Sequence, residues 1–263
     1  MLNRPDEPFA CPSDGRAILP GVLAGDYLKR GVAESIGTFA LVFVGGGSTL
    51  YGNLLGTAVA YGLVIAVMVS AFGQISGGHF NPAVTMGFLV TKRIALPLAA
   101  FYWLVQLAGA TLAALLLKWI FPAVVKGLFD SAPVLNPTID AAKGVTIEAL
   151  LTFFLVLIVF ATAVDPRGAF KQIAGLAIGF TILLDITMGG GLTGGAMNPA
   201  RAFGPQLVSG HWTDFWVWYV GPLAGGTLAA LLYEFLYLAP PRTAAVPEQP
   251  GAGPAGSATD APE

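Results

Sequence analysis

Two stretches carry residues that could do chemistry in an otherwise apolar chain. Ile75 to Gly87 reads ISGGHFNPAVTMG, and Gly189 to Gly204 reads GGGLTGGAMNPARAFG. Each places a glycine pair before an Asn-Pro-Ala triplet, Asn81-Pro82-Ala83 in one and Asn198-Pro199-Ala200 in the other. Proline suits the first helical turn, where its missing N–H is not needed, so each triplet predicts a helix start. A helix N-terminus presents unpaired N–H groups and about half a positive charge. Two such termini set head to head inside a membrane, with the Asn81 and Asn198 amides beside them, would line a pore with donors. A water at that point accepts two hydrogen bonds and turns its own protons outward. That interrupts a proton wire, and the positive field repels cations. Simple capping by each Asn is the plainer reading, but it leaves the symmetric pair unexplained.

The neighbouring residues extend this pattern. Gly77, Gly78 and His79 on one side, and Gly194, Gly195 and Ala196 on the other, could turn backbone carbonyls toward the lumen; a packing turn is the alternative. Arg201, three residues after Asn198, would narrow the outer vestibule, donate to passing solutes and repel cations. His79 reads as a satisfied histidine bracing its loop. With two His and one Cys in the chain, neither a metal site nor a cofactor is expected, and the lone Cys11 cannot form an intrachain disulfide. Glu34 and Glu148 are carboxylates inside apolar runs, where an acid without partners is costly. Each is expected to accept hydrogen bonds from the backbone of the adjoining loop; a proton relay is the sharper alternative. Asp185, next to Ile186, is expected to face another helix and find a partner there, with a pore role as the alternative.

The elements that must hold these residues belong in a lipid bilayer. The chain is 55% hydrophobic and 11% charged, against roughly 25% charged in soluble domains, and a net charge of −2 argues against nucleic acid as a partner. No basic stub followed by an apolar run marks a cleavable signal. Six apolar runs approach the ~20 residues of a membrane span: about Val32–Tyr51, Thr57–Phe72, Leu96–Phe121, Val145–Val164, Gln172–Met188 and Phe215–Leu238. Asn81–Val90 and Asn198–Val208 are half that length and read as re-entrant half-helices, tolerated where they line a watery cavity. Residues 1–28 read as a cytoplasmic tail, 29–239 as the channel domain, and 240–263 as a disordered tail. Ala123–Gly144 reads as an exposed connector. It contains Asn136-Pro137-Thr138, a decoy with no glycine run before it and no half-helix after it. With both termini cytoplasmic, nine Lys and Arg face the cytoplasm and three, Lys118, Lys126 and Lys143, face away, as the charge bias of membrane loops requires.

The two halves repeat. Leu107–Leu116 and Leu223–Leu232 differ at one position, and Glu34, Thr38 and Phe39 match Glu148, Thr152 and Phe153. The half-helix motifs match at an offset of 117. Three spans per half invert the second repeat, about residues 144–238, relative to the first, about residues 30–121, and inverted repeats build a midplane site from broken helices. The fold class is therefore all-α, six transmembrane helices with two re-entrant half-helices.

SGGHFNPAV and TGGAMNPARAFGP, duplicated on six spans, resemble the aquaporin (major intrinsic protein) family over about Arg30 to Leu238. The resemblance implies an outer selectivity ring of four residues, here Tyr61, Ile186, Gly195 and Arg201, a loop-bracing role for Glu34 and Glu148, and a homotetramer with one pore per subunit. Strict water channels of the family pair the Arg with Phe and His. Ile186 and Gly195 make this ring wider and more apolar, similar to the branch that passes ammonia and peroxide, although that branch has His where this chain has Tyr61. Glycerol channels carry an aromatic and an Asp where Gly195 and Ala202 stand here, so a polyol facilitator is the second reading. A passive channel for water and small neutral solutes in the plasma membrane is the expectation. An ion-coupled transporter would need Glu34, Glu148 or Asp185 to titrate. An intramembrane serine protease is disfavoured because Gly73-Gln-Ile-Ser-Gly lacks the Gly-x-Ser-Gly pattern, and a purely adhesive membrane protein would need neither Arg201 nor the paired Asn.

Overall fold

The computed structural model describes residues 20–49, 53–121, 131–167 and 173–238. The tail readings for residues before Pro20 and for 240–263, and part of the connector, lie outside these residues. Among the described residues every regular element is a helix. The spans are α1 (Pro20–Ala40), α2 (Leu54–Ser76), α4 (Leu96–Ile120), α5 (Ala141–Val159), α6 (Ala174–Thr193) and α8 (Val217–Leu232). The half-helices are α3 (Pro82–Val90) and α7 (Pro199–Ser209). α1, α5 and α8 each continue into a wider π-helical turn, at Leu41–Gly46, Phe160–Val164 and Tyr233–Leu238.

Five of these helices are long and apolar enough to cross a membrane by length and composition alone. The sixth span is α1 with its π turn. Its first half carries Asp26, Lys29 and Arg30, which explains why its start is hard to read from hydropathy. The helix begins at Pro20, inside the stretch read as a tail and well before Val32. The other spans fall within a few residues of expectation, and the half-helices begin one residue after each Asn.

The inverted repeat is visible in the packing. α1 crosses α4 where Gly109 lies on the Ser35 carbonyl, and α5 crosses α8 where Gly225 lies on the Ala149 carbonyl. Those glycines sit at the same place in the duplicated Leu-Ala-Gly runs. α2 and α6 meet at Gly62 and Gly179, each of which abuts the other's carbonyl oxygen. Small residues let helix backbones approach closely in lipid, where packing replaces the hydrophobic effect.

Charged contacts sort to the two ends. Arg93 on the α3–α4 loop pairs with Glu234 at 2.8 Å. Arg167 pairs with Asp165 at 2.7 Å and donates to the Tyr237 carbonyl. These groups gather where α8 ends. Lys118 near the end of α4 donates to the Val208 carbonyl, and Lys143 pairs with Asp140 at 3.3 Å where α5 begins. The first group contains cations assigned to the cytoplasmic side, the second those assigned away from it.

Candidate functional site: a lumen between two half-helices

Both half-helices start as predicted, with Asn81 and Asn198 as extended N-cap residues and proline at the first helical position. Asn81 Oδ1 accepts from Ala83 N at 2.8 Å, and Asn198 Oδ1 from Ala200 N at 3.0 Å and Arg201 N at 3.2 Å. Capping and pore lining are thus not alternatives, because the carboxamide oxygen caps while the nitrogen does something else. Asn81 Nδ2 donates to the Met197 carbonyl and Asn198 Nδ2 to the Phe80 carbonyl, both at 2.8 Å. Each Asn ties its own loop to the opposite one and keeps its second amide proton. Both residues line the same lumen.

The accepting residues are unusual. Phe80 and Met197 occupy equivalent repeat positions, and both are non-glycine residues with positive φ, 47° and 52°. A side-chain residue in that region costs about 1–3 kcal/mol and persists only where its surroundings hold it. The buried glutamates do so. Glu34 accepts from Phe80 N at 2.6 Å, His79 N at 2.9 Å and Ser76 Oγ at 2.6 Å. Glu148 accepts from Met197 N at 2.7 Å, Ala196 N at 2.9 Å and Thr193 Oγ1 at 2.7 Å. Each hydroxyl in turn accepts from the second glycine of its pair, Gly78 or Gly195. The two glutamates bind loop backbone, the partners anticipated for them.

A second symmetric pair was not anticipated. Tyr102 Oη donates to the Ser76 carbonyl at 2.6 Å, and Trp218 Nε1 donates to the Thr193 carbonyl at 2.9 Å. The two aromatics are 116 residues apart, the offset of the duplicated runs that follow them, and that offset could have found them. The halves differ on one side of each loop. His79, Thr85 and Gln106 stand where the second half has Ala196, Ala202 and Pro222. His79 Nδ1 lies 3.0 Å from Thr85 Oγ1, and its ring packs on Phe88 and Tyr102. Gln106 Nε2 donates to Glu34 at 2.8 Å and to Thr85 at 3.2 Å. The His79 ring is thus satisfied by Thr85 and packed on aromatics of α3 and α4.

Gly77, Gly78, His79, Gly195 and Ala196 line the lumen, whereas Gly194 lines the outer vestibule. Leu41, Ile65, Val84, Leu155, Val159, Ile178 and Ile182 make most of the wall apolar, so few polar stations are offered along it. The lumen is a cavity of about 40 Å³ and the vestibule one of about 390 Å³. Arg201 and Ile186 line both and mark the junction. Arg201 Nη1 donates to the Ser131 carbonyl at 3.1 Å, and its guanidinium lies 5.2 Å from the Tyr61 ring centroid. Gly195 lies against Ile186. Tyr61, Ile186, Gly195 and Arg201 all line the lumen, Tyr61 beside Arg201 and Gly195 beside Ile186. The decoy Asn136 ties its loop to the end of α6 through the Gly191 and Leu192 carbonyls.

Asp185 departs from expectation. It is buried and absent from the lumen wall, but its Oδ2 has no hydrogen-bond partner among the described residues. Also among the described residues, no cluster of His, Cys, Asp and Glu could hold a metal ion.

Six membrane helices and two half-helices around a narrow lumen define a polytopic membrane channel. A sequence profile of the major intrinsic protein family matches residues 23–233. Aquaporin TIP4-4 of Zea mays is 46% identical over 228 residues, covering 85% of this chain and 87% of that one. The probable aquaporin TIP3-2 of Arabidopsis thaliana is 40% identical, covering 81% and 85%. Among solved structures, the aquaglyceroporin from Plasmodium falciparum superposes with a TM-score of 0.73 at 24% identity, covering 80% of this chain and 96% of that one; this likeness speaks to the fold. The chain belongs to the major intrinsic protein (aquaporin) family, and it is an integral membrane channel, not an enzyme.

Proposed function

We propose that the channel passes water, together with small neutral solutes such as ammonia or hydrogen peroxide, and excludes protons and ions. The observation that carries this reading is the crossed donation of Asn81 and Asn198. Each amide is fixed by the opposite loop, so its remaining proton has one direction left, toward the lumen. Two fixed donors at two helix N-termini offer a passing water oxygen two partners and its protons none. The relatives named as aquaporins support water as the solute.

Tyr61, Ile186, Gly195 and Arg201 form the outer filter in this reading. The lumen residues Gly77, Gly78, His79, Gly195 and Ala196 supply carbonyls to the solute path, and Gly194 does so at the vestibule. Glu34 and Glu148 act as braces and do not relay protons, because their oxygens already receive the loop donors. A small-polyol facilitator is the second reading, favoured by the apolar Ile186 in the filter and opposed by Gly195 and Ala202, which stand where polyol channels carry an aromatic and an Asp. The channel unit is the stretch read as 29–239 extended back to the start of α1 at Pro20, with tails on either side, assembled as a homotetramer in the plasma membrane with cytoplasmic termini. Large apolar side chains facing outward, among them Val32, Leu63, Val67, Phe154, Leu176 and Leu184, suit contact with lipid or neighbouring subunits.

Stopped-flow light scattering on proteoliposomes, with water, glycerol, methylamine and hydrogen peroxide in parallel, tests this. Water permeability well above empty liposomes is expected, with glycerol near background. In Arg201→Val, glycerol permeability should rise about tenfold, as loss of roughly 1.4 kcal/mol of barrier would give. Unchanged selectivity in that variant would remove Arg201 from the filter.

A further inference from the structure

We propose that Gly45 is a positioning residue that sets the width of the outer constriction through the ring of Tyr61. This rests on the reading of Tyr61 and Arg201 as filter residues. Gly45 lies in the π turn Leu41–Gly46 that ends the first span, and it is buried. A Cβ at this position would come closer than 3.0 Å to three atoms of the Tyr61 ring, Cδ1, Cε1 and Cζ. The Arg201 guanidinium also lies over that ring. Tyr61 thus has both a backbone with no side chain and a cation as neighbours, and it is itself 3% exposed.

The direction of the effect follows from these contacts. A methyl group at position 45 must displace the ring, because the atoms it meets belong to a rigid aromatic and not to a flexible tip. The backbone of the first span stands on one side of the ring. Tyr61 and Arg201 both line the lumen, whereas Gly45 does not. The ring therefore moves inward or pushes Arg201 inward, and the opening narrows. π-Helical turns inside α-helices occur frequently at functional sites, and this one brings Gly45 to the filter while Leu41, four residues earlier, lines the lumen wall. The neighbouring glycines differ. A Cβ at Gly47 would meet only Leu117 Cδ2 at 3.4 Å, an ordinary contact. Within the Gly45-Gly46-Gly47 run, Gly45 is thus the packing position for the filter, and Gly47 has room for a methyl group.

The test is a double-mutant cycle read as water permeability per reconstituted channel, with thermal stability in detergent measured alongside. Gly45→Ala should lower per-channel water permeability about three- to tenfold, the effect of a displaced, off-rotamer ring on the barrier. Gly47→Ala should leave it unchanged. Tyr61→Leu removes the ring, so adding Gly45→Ala to it should have no further effect. Should Gly45→Ala alone fail to assemble, assembly of the double variant still supports the contact, and failure of the double variant overturns it. Lower stability with unchanged per-channel permeability also overturns the proposal, since packing alone would then explain the glycine. If the wild-type chain passes no water, the channel reading falls and takes this inference with it; if it passes water and Gly45→Ala does not alter the rate, the inference alone is wrong.

Discussion

Glu148 holds three donors at once, two of them backbone N–H groups of a loop that contains a left-handed Met197. A glutamine in its place has one acceptor oxygen and turns an NH2 group toward those donors. The Thr193 hydroxyl can reverse its role, but a backbone N–H cannot. Glu148→Gln should therefore strand one buried donor and cost about 1–3 kcal/mol, visible as earlier thermal unfolding in detergent. Glu34→Gln should behave alike, since Phe80 N and His79 N press on its two oxygens. A Glu148→Gln variant of wild-type stability with altered pH dependence of conduction would restore the proton-relay alternative. The paired Asn, Arg201 and both glutamates were legible from residue type and spacing. The crossed amide bonds were not, because they join residues 116 and 118 positions apart and depend on where two loop carbonyls point. Gly45 was equally hidden, since its role is to lack a side chain beside Tyr61.

Among the elements, the spans with few charges were readable from hydropathy, and the half-helices from their Asn-Pro starts. The start of α1 was not, because Asp26 and Arg30 pair one turn apart and allow a charged stretch to remain helical. The π turns carry no compositional signature either. At the end of the bundle where α8 stops, the loop after α5 is tied to the last helix by Asp165, which accepts from Arg167 and Tyr233. Hydrogen bonds from the Arg167 side chain hold the Asp165 carboxyl well below the usual carboxylate range. A depressed folded-state pKa contributes stability that is complete above the unfolded value of about 3.9 and is lost as pH falls through the folded value. The stability difference between wild type and Asp165→Asn should thus stay flat from about pH 5 to pH 8 and shrink only below about pH 4. Thermal unfolding across that range checks it. A difference that changes near neutrality would assign the titration to another group.

For the whole molecule, the duplication sets the architecture. Equivalent glycines make equivalent helix crossings, equivalent acids brace equivalent loops, and Tyr102 and Trp218 fasten equivalent carbonyls. The asymmetries are local. Arg201 occupies the place that Val84 takes in the first half, and His79, Thr85 and Gln106 replace smaller residues of the second. The symmetric parts hold two helix N-termini against each other, and the asymmetric parts give the two mouths different character. The central claim is that this symmetric junction passes water without passing protons. The direct measurement records water flux and internal pH together in the same proteoliposomes under an imposed membrane potential. Rapid water flux with proton leak no greater than in empty liposomes is the predicted result. Proton entry that rises with the water flux, or no water flux above the empty liposomes, would contradict it.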